Sequence, residues 1–291
     1  MYELKNDKLT VLISEIGAEL QSIKDTTGKE YLWQADPKYW PRHSPILFPI
    51  VCSVNNDTYR VDGEEYHLPR HGFARDREFE LTYQFDNEIS FQLLWDDESL
   101  KVYPYKFALN VTYLLDGNSL YVEWQVDNID KKEIHFQIGG HPAFNIPDMK
   151  DGDTQTGRIR LDALAPIYRF TSYIDGTHDM TEEVVETTKD GVINFNDETW
   201  SKDSIQINNS QTGKAEILDK EGHPVVTVFY ETPVCAFWSP YKKNAPFVCI
   251  EPWYGVGDHR GFDGEFRDKP LMNHLLPGAS FSGQYQIAIG E

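Results

Sequence analysis

The sequence predicts an all-β fold built from antiparallel strands. Apolar and polar residues alternate over most of the 291-residue chain, and this period of two is typical of half-buried strands. Few windows carry a helical stripe, and the 20 Gly and 16 Pro are spread throughout, which interrupts long helices. These features favour a β-sandwich over alternating strands and helices. We expect a single domain over residues 1–291, because no self-similarity of about 20 to 50 residues indicates a propeller or a solenoid.

Three hairpins account for the clearest alternation. In each, apolar side chains fall on one face of both strands, and the connection contains Asp-Gly or Asp-Asn, which are typical turn residues. The least hydrophobic stretch, residues 148–210, predicts long loops on the sandwich. The predicted hairpins pair residues 107–115 with 120–126, residues 79–85 with 89–95, and residues 59–61 with 66–68.

Charge and composition exclude several classes of protein. The chain has 27 Lys and Arg against 47 Asp and Glu, a net charge of −20, so we expect neither nucleic acid nor a membrane surface as a partner. No basic patch precedes an apolar run at the start, and no apolar run approaches membrane-spanning length, which predicts a soluble, cytoplasmic protein. The three cysteines lack CxxC spacing, which argues against a disulfide framework or a cysteine zinc site.

Polar residues beside sharp turns mark the candidate functional residues. His71 and Arg75 bracket a glycine in one segment, and His141 follows Gly139-Gly140 in a second. Glu251 lies in a third segment, between Ile250 and Pro252, and we expect the proline to end that strand.

Each of these residues also has a structural interpretation. A carboxyl group at Glu251 is expected to be partly desolvated, which raises its pKa and suits a general base, but a solvent-facing Glu or one paired with Arg would show the same pattern. His141 is equally consistent with a turn histidine whose hydrogen bonds are satisfied. His71 and Arg75 are consistent with a charged loop.

Metal, cofactor and aromatic signals are weak. Two histidines and a glutamate on separate strand ends would suit a metal, but no HxH or HExxH spacing is present, so no metal site is expected. No nucleotide-binding glycine motif and no GxSxG elbow occurs. Trp238 and Trp253 lie near the candidate residues, and their flat faces suit a sugar ring, although core packing explains them equally well.

Ordered motifs over nearly the whole chain carry a family resemblance. With them the sequence resembles the aldose 1-epimerase (galactose mutarotase) family, and more closely its LacX-like branch. The resemblance implies a large antiparallel β-supersandwich with a sugar site in an open cleft and no cofactor. The motifs are IGAELQSI at residues 16–23, SPILFPIV at 44–51, HGFAR at 71–75, GGHPAFN at 139–145, FVCIEPWYG at 247–255 and LPG at 276–278.

The resemblance also implies roles. Glu251 matches the general base of the family and His141 its general acid, with His71 and Arg75 contacting the sugar. The expected function is interconversion of the α and β anomers of a free aldohexose: the base removes the C1 hydroxyl proton, the acid protonates the ring oxygen, and the ring opens and recloses. The expected partner is a monosaccharide, and a weak homodimer is also allowed.

One departure from the family pattern matters. Many relatives carry Gly-Arg-Leu after the segment that ends here at Val51, with the arginine reaching the sugar, but this chain has Ser53 in its place. We include Ser53 and Asp258 among the substrate-binding candidates.

Two alternative functions stay open. A hexose-6-phosphate epimerase is an alternative, weakened by the missing arginine and the negative charge. A non-catalytic sugar-binding protein is a second alternative, motivated by Ser53.

Overall fold

Antiparallel strands form most of the molecule. The computed structural model describes residues 1–163 and 166–290, and these residues contain the following strands. The first twelve are β1 (Tyr2–Lys5), β2 (Leu9–Ile13), β3 (Leu20–Asp25), β4 (Ile46–Leu47), β5 (Thr58–Val61), β6 (Glu64–His67), β7 (Glu80–Gln84), β8 (Glu88–Leu94), β9 (Phe107–Asp116), β10 (Ser119–Asn128), β11 (Ile134–Phe136) and β12 (Ile138–Gly140). The next twelve are β13 (Ala143–Asn145), β14 (Thr156–Leu161), β15 (Ile167–Ser172), β16 (His178–Val185), β17 (Val192–Asn196), β18 (Ile205–Ile207), β19 (Lys214–Leu218), β20 (Pro224–Tyr230), β21 (Val234–Trp238), β22 (Phe247–Tyr254), β23 (Asn273–Leu275) and β24 (Ser280–Ile289).

Helix is scarce. One α-helix, α1 (Asp97–Val102), occurs in the described residues, and Asp96 caps it by accepting a hydrogen bond from the Ser99 backbone N–H at 2.6 Å. None of the helices in this part of the chain has the length and apolar character needed to traverse a bilayer. The short 3₁₀ helices are Asn55–Asp57, Ala74–Asp76, Asp197–Trp200 and Phe266–Asp268.

Two large sheets carry the architecture. The first contains nine strands in the order β17-β14-β19-β20-β24-β10-β9-β8-β7. The second contains eight strands, seven in the order β16-β15-β18-β21-β22-β12-β4, with β13 also paired to β22. Smaller sheets are β1-β2-β3, β5-β6 and β11-β23. Neighbouring strands are antiparallel throughout these sheets, so the predicted all-β, antiparallel fold class is confirmed.

The two large sheets share one hydrophobic core. Its buried members include Val111 and Trp124 from the nine-stranded sheet and Phe237 and Ile250 from the eight-stranded sheet. The sheets approach so closely that a Cβ added to Gly140 would lie 3.0 Å from the Tyr285 ring. A glycine at this position therefore lets β12 pack directly on β24.

The three predicted hairpins are confirmed as β9–β10, β7–β8 and β5–β6. In the first, every apolar residue predicted to share a face is buried. In the second, β7 is the edge strand, so Tyr83 and Phe85 stay 37% and 65% exposed. Alternation thus predicts the strand but not whether another layer covers it.

The prediction of long loops over residues 148–210 is wrong. This stretch contributes β14 to β18, and four of these strands lie at or near the edges of the two large sheets. β16, for example, exposes half of its residues. An edge strand with one solvated face needs few apolar residues, so the period of two is diluted by Asp, Glu and Thr.

Candidate active site

Six of the eight predicted site residues line one pocket. Its cavity measures about 210 Å³ and opens beside the middle of the eight-stranded sheet. This is small compared with pockets for drug-sized ligands, about 300–1,000 Å³, and suits a smaller molecule. The lining residues are Trp40, Arg70, His71, Arg75, His141, Ser204, Trp238, Glu251 and Trp253.

Strand register brings His141 and Glu251 together. β22 pairs with β12 at Gly139–Trp253 and with β13 at Ala143–Cys249. Residues 141 and 142 separate β12 from β13. When the register of the two pairs is continued across this gap, residue 141 lies opposite residue 251. Side chains opposite each other in an antiparallel pair point to the same face. The two segments therefore meet because of backbone pairing.

The expected end of the strand at Pro252 is wrong, because β22 continues to Tyr254. Pro252 pairs with Cys235 of β21 on one side, and on the other side the paired residues of β12 and β22 end at Gly139–Trp253, just before Pro252 is reached. A proline is tolerated in a strand where no ladder hydrogen bond needs its missing N–H. Glu251 thus sits within a central buried strand.

His141 and Glu251 form a close, buried contact with unused hydrogen-bonding capacity. His141 Nε2 lies 3.2 Å from Glu251 Oε2, and the side chains are 7% and 1% exposed. The contact lacks hydrogen-bond geometry, and neither Glu251 Oε2 nor His141 Nδ1 has a hydrogen-bond partner among the described residues. Buried polar atoms without partners are costly, so such atoms beside a cavity indicate a site for a polar ligand.

Burial changes the acidity of both groups. Desolvation holds the pKa of His141 well below its usual value, and the positive charges of Arg70, Arg75 and Arg42 act in the same direction. Desolvation also raises the pKa of Glu251 well above its usual value, although the positive charge of Arg70 opposes this shift. Burial therefore favours the uncharged form of each group, the protonated carboxyl group and the neutral imidazole.

His71 is held by its backbone and by one hydrogen bond. Its φ of 69° lies in the left-handed region, and a Cβ on the following Gly72 would come within 2.3 Å of the Phe48 carbonyl oxygen. His71 Nδ1 accepts a hydrogen bond from the Cys52 backbone N–H at 3.1 Å. Burial lowers the pKa of His71 well below its usual value, so the neutral ring carries its proton on Nε2. That N–H can donate to a ligand.

Two tryptophans enclose the imidazole of His141. Trp40 stacks on it with ring centroids 4.8 Å apart and an interplanar angle of 25°, and Trp238 meets it edge-on at 5.7 Å. Trp238 is a predicted site residue, but sequence analysis missed Trp40. Trp40 lies in a loop a hundred residues before His141 and carries no motif, so nothing in the local pattern indicates it.

Arginines provide the positive charge of the pocket. Arg70, which sequence analysis missed, pairs with the buried Asp203 at 2.7 Å, and Arg75 Nη2 donates to the Arg70 carbonyl oxygen at 2.7 Å. Burial lowers the pKa of Arg75 to about 10, and its Nε has no hydrogen-bond partner among the described residues. Arg42 pairs with Asp76 at 2.8 Å. Its position directly before His71 in the sequence could have indicated Arg70 as a site residue.

Ser53 and Asp258 do not line the pocket. Asp258 accepts a hydrogen bond from the Asn55 backbone N–H at 2.9 Å and pairs with the buried Lys269, which satisfies its carboxylate. The backbone carbonyl of Ser53 accepts from the Asp258 N–H at 2.9 Å. Both residues join loops behind the pocket, so their positions do not support the substrate-binding role expected from sequence.

Arg70 lies beside the position where the family arginine is missing. A Cβ added to Gly176 would be 2.5 Å from Ser53 Oγ and 3.1 Å from Arg70 Nε, so both side chains border the same small space. The guanidinium therefore enters the pocket region from a different chain segment than the family pattern predicts. Its pairing with Asp203 holds it there.

The site also contains potential metal ligands. His141, Cys249 and Glu251 each place one ligand atom within 4.8 Å of the other two. Burial raises the pKa of the Cys249 thiol well above its usual value, which disfavours the thiolate that binds metals, and the nearby arginines disfavour a cation. This arrangement suits proton transfer better than metal binding.

A larger cleft, of about 820 Å³, lies elsewhere and is lined by residues such as Met149, Arg158 and Lys220. No histidine occurs among the described residues that line it. The smaller pocket, which contains the buried acid and base, is therefore the candidate active site.

Two packed antiparallel sheets with a buried imidazole–carboxyl pair beside an indole-lined pocket define a protein of the galactose mutarotase-like class. The chain belongs to the aldose 1-epimerase family: the family model described as Aldose 1-epimerase matches residues 1–283. This membership indicates an epimerase or mutarotase that interconverts sugar anomers.

Relatives and solved structures agree with this assignment. Protein LacX of Lactococcus lactis subsp. lactis is 33% identical over 299 aligned positions, covering 99% of this chain and 98% of its own. Galactose mutarotase of Rattus norvegicus is 27% identical over 189 positions, covering 57% of this chain and 54% of its own. A galactose mutarotase related enzyme from Lactobacillus acidophilus superposes with a TM-score of 0.91 at 33% identity, covering 100% of this chain and 97% of its own. A galactose mutarotase-like protein from Lactobacillus casei gives 0.93 at 30% identity, with 99% of each chain covered.

Proposed function

We propose that this protein interconverts the α and β anomers of a free aldohexose without a cofactor, with Glu251 as general base and His141 as general acid. The observation that carries the proposal is the contact of 3.2 Å between the two side chains at the wall of a 210 Å³ pocket. The hydroxyl and ring oxygens of a hemiacetal share one carbon. Groups that exchange protons with both oxygens must therefore be close neighbours, as these two are.

The proton count of the pair suits this reaction. Ring opening needs one proton acceptor and one proton donor, and a pair that holds a single proton supplies both. Burial in the pocket wall favours the uncharged forms of both groups. A C1 hydroxyl that donates to Glu251 stabilises the carboxylate, and a ring oxygen that accepts from His141 favours the imidazolium.

The reaction then proceeds in two mirrored steps. Glu251 removes the proton from the C1 hydroxyl while His141 protonates the ring oxygen, and the C1–O5 bond breaks to give the open-chain aldehyde. After rotation about C1–C2, His141 removes the proton from the C5 hydroxyl as its oxygen attacks C1, and Glu251 returns a proton to the carbonyl oxygen. The pair ends with the proton it started with. Acid–base catalysis of this kind contributes roughly 10²–10⁴-fold.

Other lining residues would hold the sugar. The N–H at Nε2 of His71 and the guanidinium groups of Arg70 and Arg75 can donate to sugar oxygens. The indole of Trp40 and that of Trp238 offer flat faces to the apolar side of a pyranose ring.

A hexose-6-phosphate is the second candidate substrate, and one observation favours it. Arg42, Arg70 and Arg75 are close enough to His141 and His71 to lower the pKa of both imidazoles. The chain carries a net charge of −20, but Arg70 and Arg75 line the pocket and place positive charge there. Arg75 is partly buried, and its Nε makes no hydrogen bond among the described residues although Asp76 lies 3.7 Å away, so this guanidinium can bind a phosphate oxygen.

Polarimetry tests the proposal. Freshly dissolved α-glucose and α-galactose are followed with and without protein, and the protein should speed the approach to equilibrium rotation in proportion to its concentration. The same measurement with the 6-phosphates ranks the two candidate substrates. Sugar binding by calorimetry without any acceleration would overturn the enzymatic proposal and leave a sugar-binding protein.

A further inference from the structure

A second group of imidazoles lies outside the pocket, on the small sheet β11-β23. His135 and His274 are directly opposite each other in the register of this pair. Their Nδ1 atoms are 3.1 Å apart, and Glu133 precedes β11. One ligand atom from each of the three residues lies within 4.8 Å of the other two.

We propose that Glu133, His135 and His274 form a binding site for a divalent transition metal ion, with Zn²⁺ as the best match. Two imidazole nitrogens and a carboxylate oxygen are a donor set that zinc uses in proteins, with water completing the coordination. At Zn–N distances of about 2.0–2.1 Å, two nitrogens 3.1 Å apart reach one ion at an angle of roughly 100°. That angle is close to tetrahedral.

Exposure and protonation both permit binding. His135 is buried on the sheet, whereas His274 and Glu133 are exposed, so an ion can enter from solvent and keep water ligands. Without a metal, one Nδ1–H donates to the other Nδ1. Binding requires that proton to move to Nε2 or to solvent, which frees both Nδ1 lone pairs for the ion.

The cationic side chains around this group contact other residues, and one of them, Arg60, pairs with Glu65 at 3.1 Å. Arg267 pairs with Asp62 at 3.4 Å, and the Lys132 ammonium lies 4.7 Å from the centre of the Tyr105 ring. Glu133 and His135 line a cavity of about 160 Å³, and Glu265 on the wall of that cavity adds negative charge. Local charge therefore does not exclude a divalent cation.

The sequence predicts no metal site because it lacks HxH and HExxH spacing. Such local motifs cannot reveal ligands that are far apart in the chain. His135 and His274 are 139 positions apart and meet only because β23 pairs with β11.

The small sheet that carries these histidines is also hydrogen-bonded to strands that lead to the pocket. Asn273 of β23 donates to the Phe136 and Tyr254 carbonyl oxygens at 3.0 and 3.1 Å, so this sheet contacts the ends of strands that lead to His141 and Glu251.

Zinc binding can be measured without any sugar. Metal-free protein is titrated with Zn²⁺ by calorimetry, and Co²⁺ is added separately to record the d–d absorption of a nitrogen-ligated ion. We expect one Zn²⁺ per chain and a higher melting temperature in its presence, because the ion binds the folded state. His274→Ala should weaken binding by at least about tenfold and remove the thermal shift.

Matched variants make the test specific. His223→Ala removes another exposed histidine beside a carboxylate, Asp219, far along the chain, and should bind Zn²⁺ like the wild type. Glu133→Gln changes an exposed side chain and should also weaken binding. Wild-type protein that binds no stoichiometric Zn²⁺ would overturn the proposal, and so would His274→Ala or Glu133→Gln protein that binds it with unchanged affinity.

Discussion

Two buried contacts between a base and a carboxyl group serve different purposes in this molecule. Asp258 and Lys269 are fully paired, and Asp258 also accepts a backbone hydrogen bond from Asn55. Glu251 and His141 are equally buried, yet Glu251 Oε2 and His141 Nδ1 have no hydrogen-bond partner among the described residues. The first contact stabilises loops behind the pocket. The second keeps polar atoms free beside a cavity, which is what a catalytic pair requires.

Glu251→Gln should give the largest effect and leave the fold intact. The amide keeps the shape of the carboxyl group but cannot accept the hydroxyl proton, so we expect acceleration of mutarotation to fall by roughly 10²–10⁴-fold. Polarimetry measures the rate, and circular dichroism with thermal unfolding checks the fold. His141→Asn should behave similarly. Full activity of Glu251→Gln would remove this residue from the mechanism.

Lys269→Ala should instead damage stability. The substitution leaves Asp258 buried without its cation, and breaking a buried pair in this way costs about 3–5 kcal/mol. Urea unfolding measures the free energy of unfolding. The fraction that stays folded should retain the catalytic rate, since Lys269 does not line the pocket. A variant with unchanged stability would show that the two contacts do not differ as described.

Arg70→Lys should mainly weaken substrate binding. Lysine retains the charge opposite Asp203 but lacks the several N–H donors of the planar guanidinium. Loss of one charge-assisted hydrogen bond to the substrate, about 1.5–3 kcal/mol, should raise KM roughly tenfold or more. Steady-state kinetics should show little change in kcat. Arg60→Lys, at an exposed arginine, is the control. A KM of Arg70→Lys equal to that of the wild type would show that the substrate does not contact Arg70.

The pH profile should reflect a pair that holds one proton. The pKa of His141 is held well below its usual 6.5, so a second proton adds only in acid, and the acid limb of kcat/KM should lie well below pH 6.5. The pKa of Glu251 is raised well above its usual 4.5, so the last proton is retained as pH rises towards neutrality. Activity should therefore be constant around neutral pH. An acid limb at or above pH 6.5 would contradict a desolvated histidine.

Sequence analysis predicted the central strands of the nine-stranded sheet better than the strands at the sheet edges. The β9–β10 hairpin is central and buried on one face, so its alternation is complete, whereas β14 to β18 were mistaken for loops because edge strands carry polar residues. The assignment of residues 1–291 to one domain and the cytoplasmic location stay predictions.

For the site, short motifs predicted residues that the structure places around one pocket, whereas contacts made by distant loops were missed. Glu251, His141, His71 and Arg75 lie in short continuous motifs and line one pocket, where the register of β22 sets Glu251 opposite His141. Trp40 enters from a distant loop, and no local pattern indicates such a contact. Asp258 lies outside the pocket and pairs with Lys269, a contact that sequence cannot show, and its role in substrate binding stays a prediction.

A crystal structure of the protein soaked with a hexose tests the central claim most directly. We predict that the C1 hydroxyl lies within hydrogen-bond distance of the Glu251 carboxylate and that the ring oxygen lies within the same distance of His141 Nε2. A sugar bound with C1 turned away from both groups, or seated only in the larger cleft near Met149 and Lys220, would contradict the proposed mechanism.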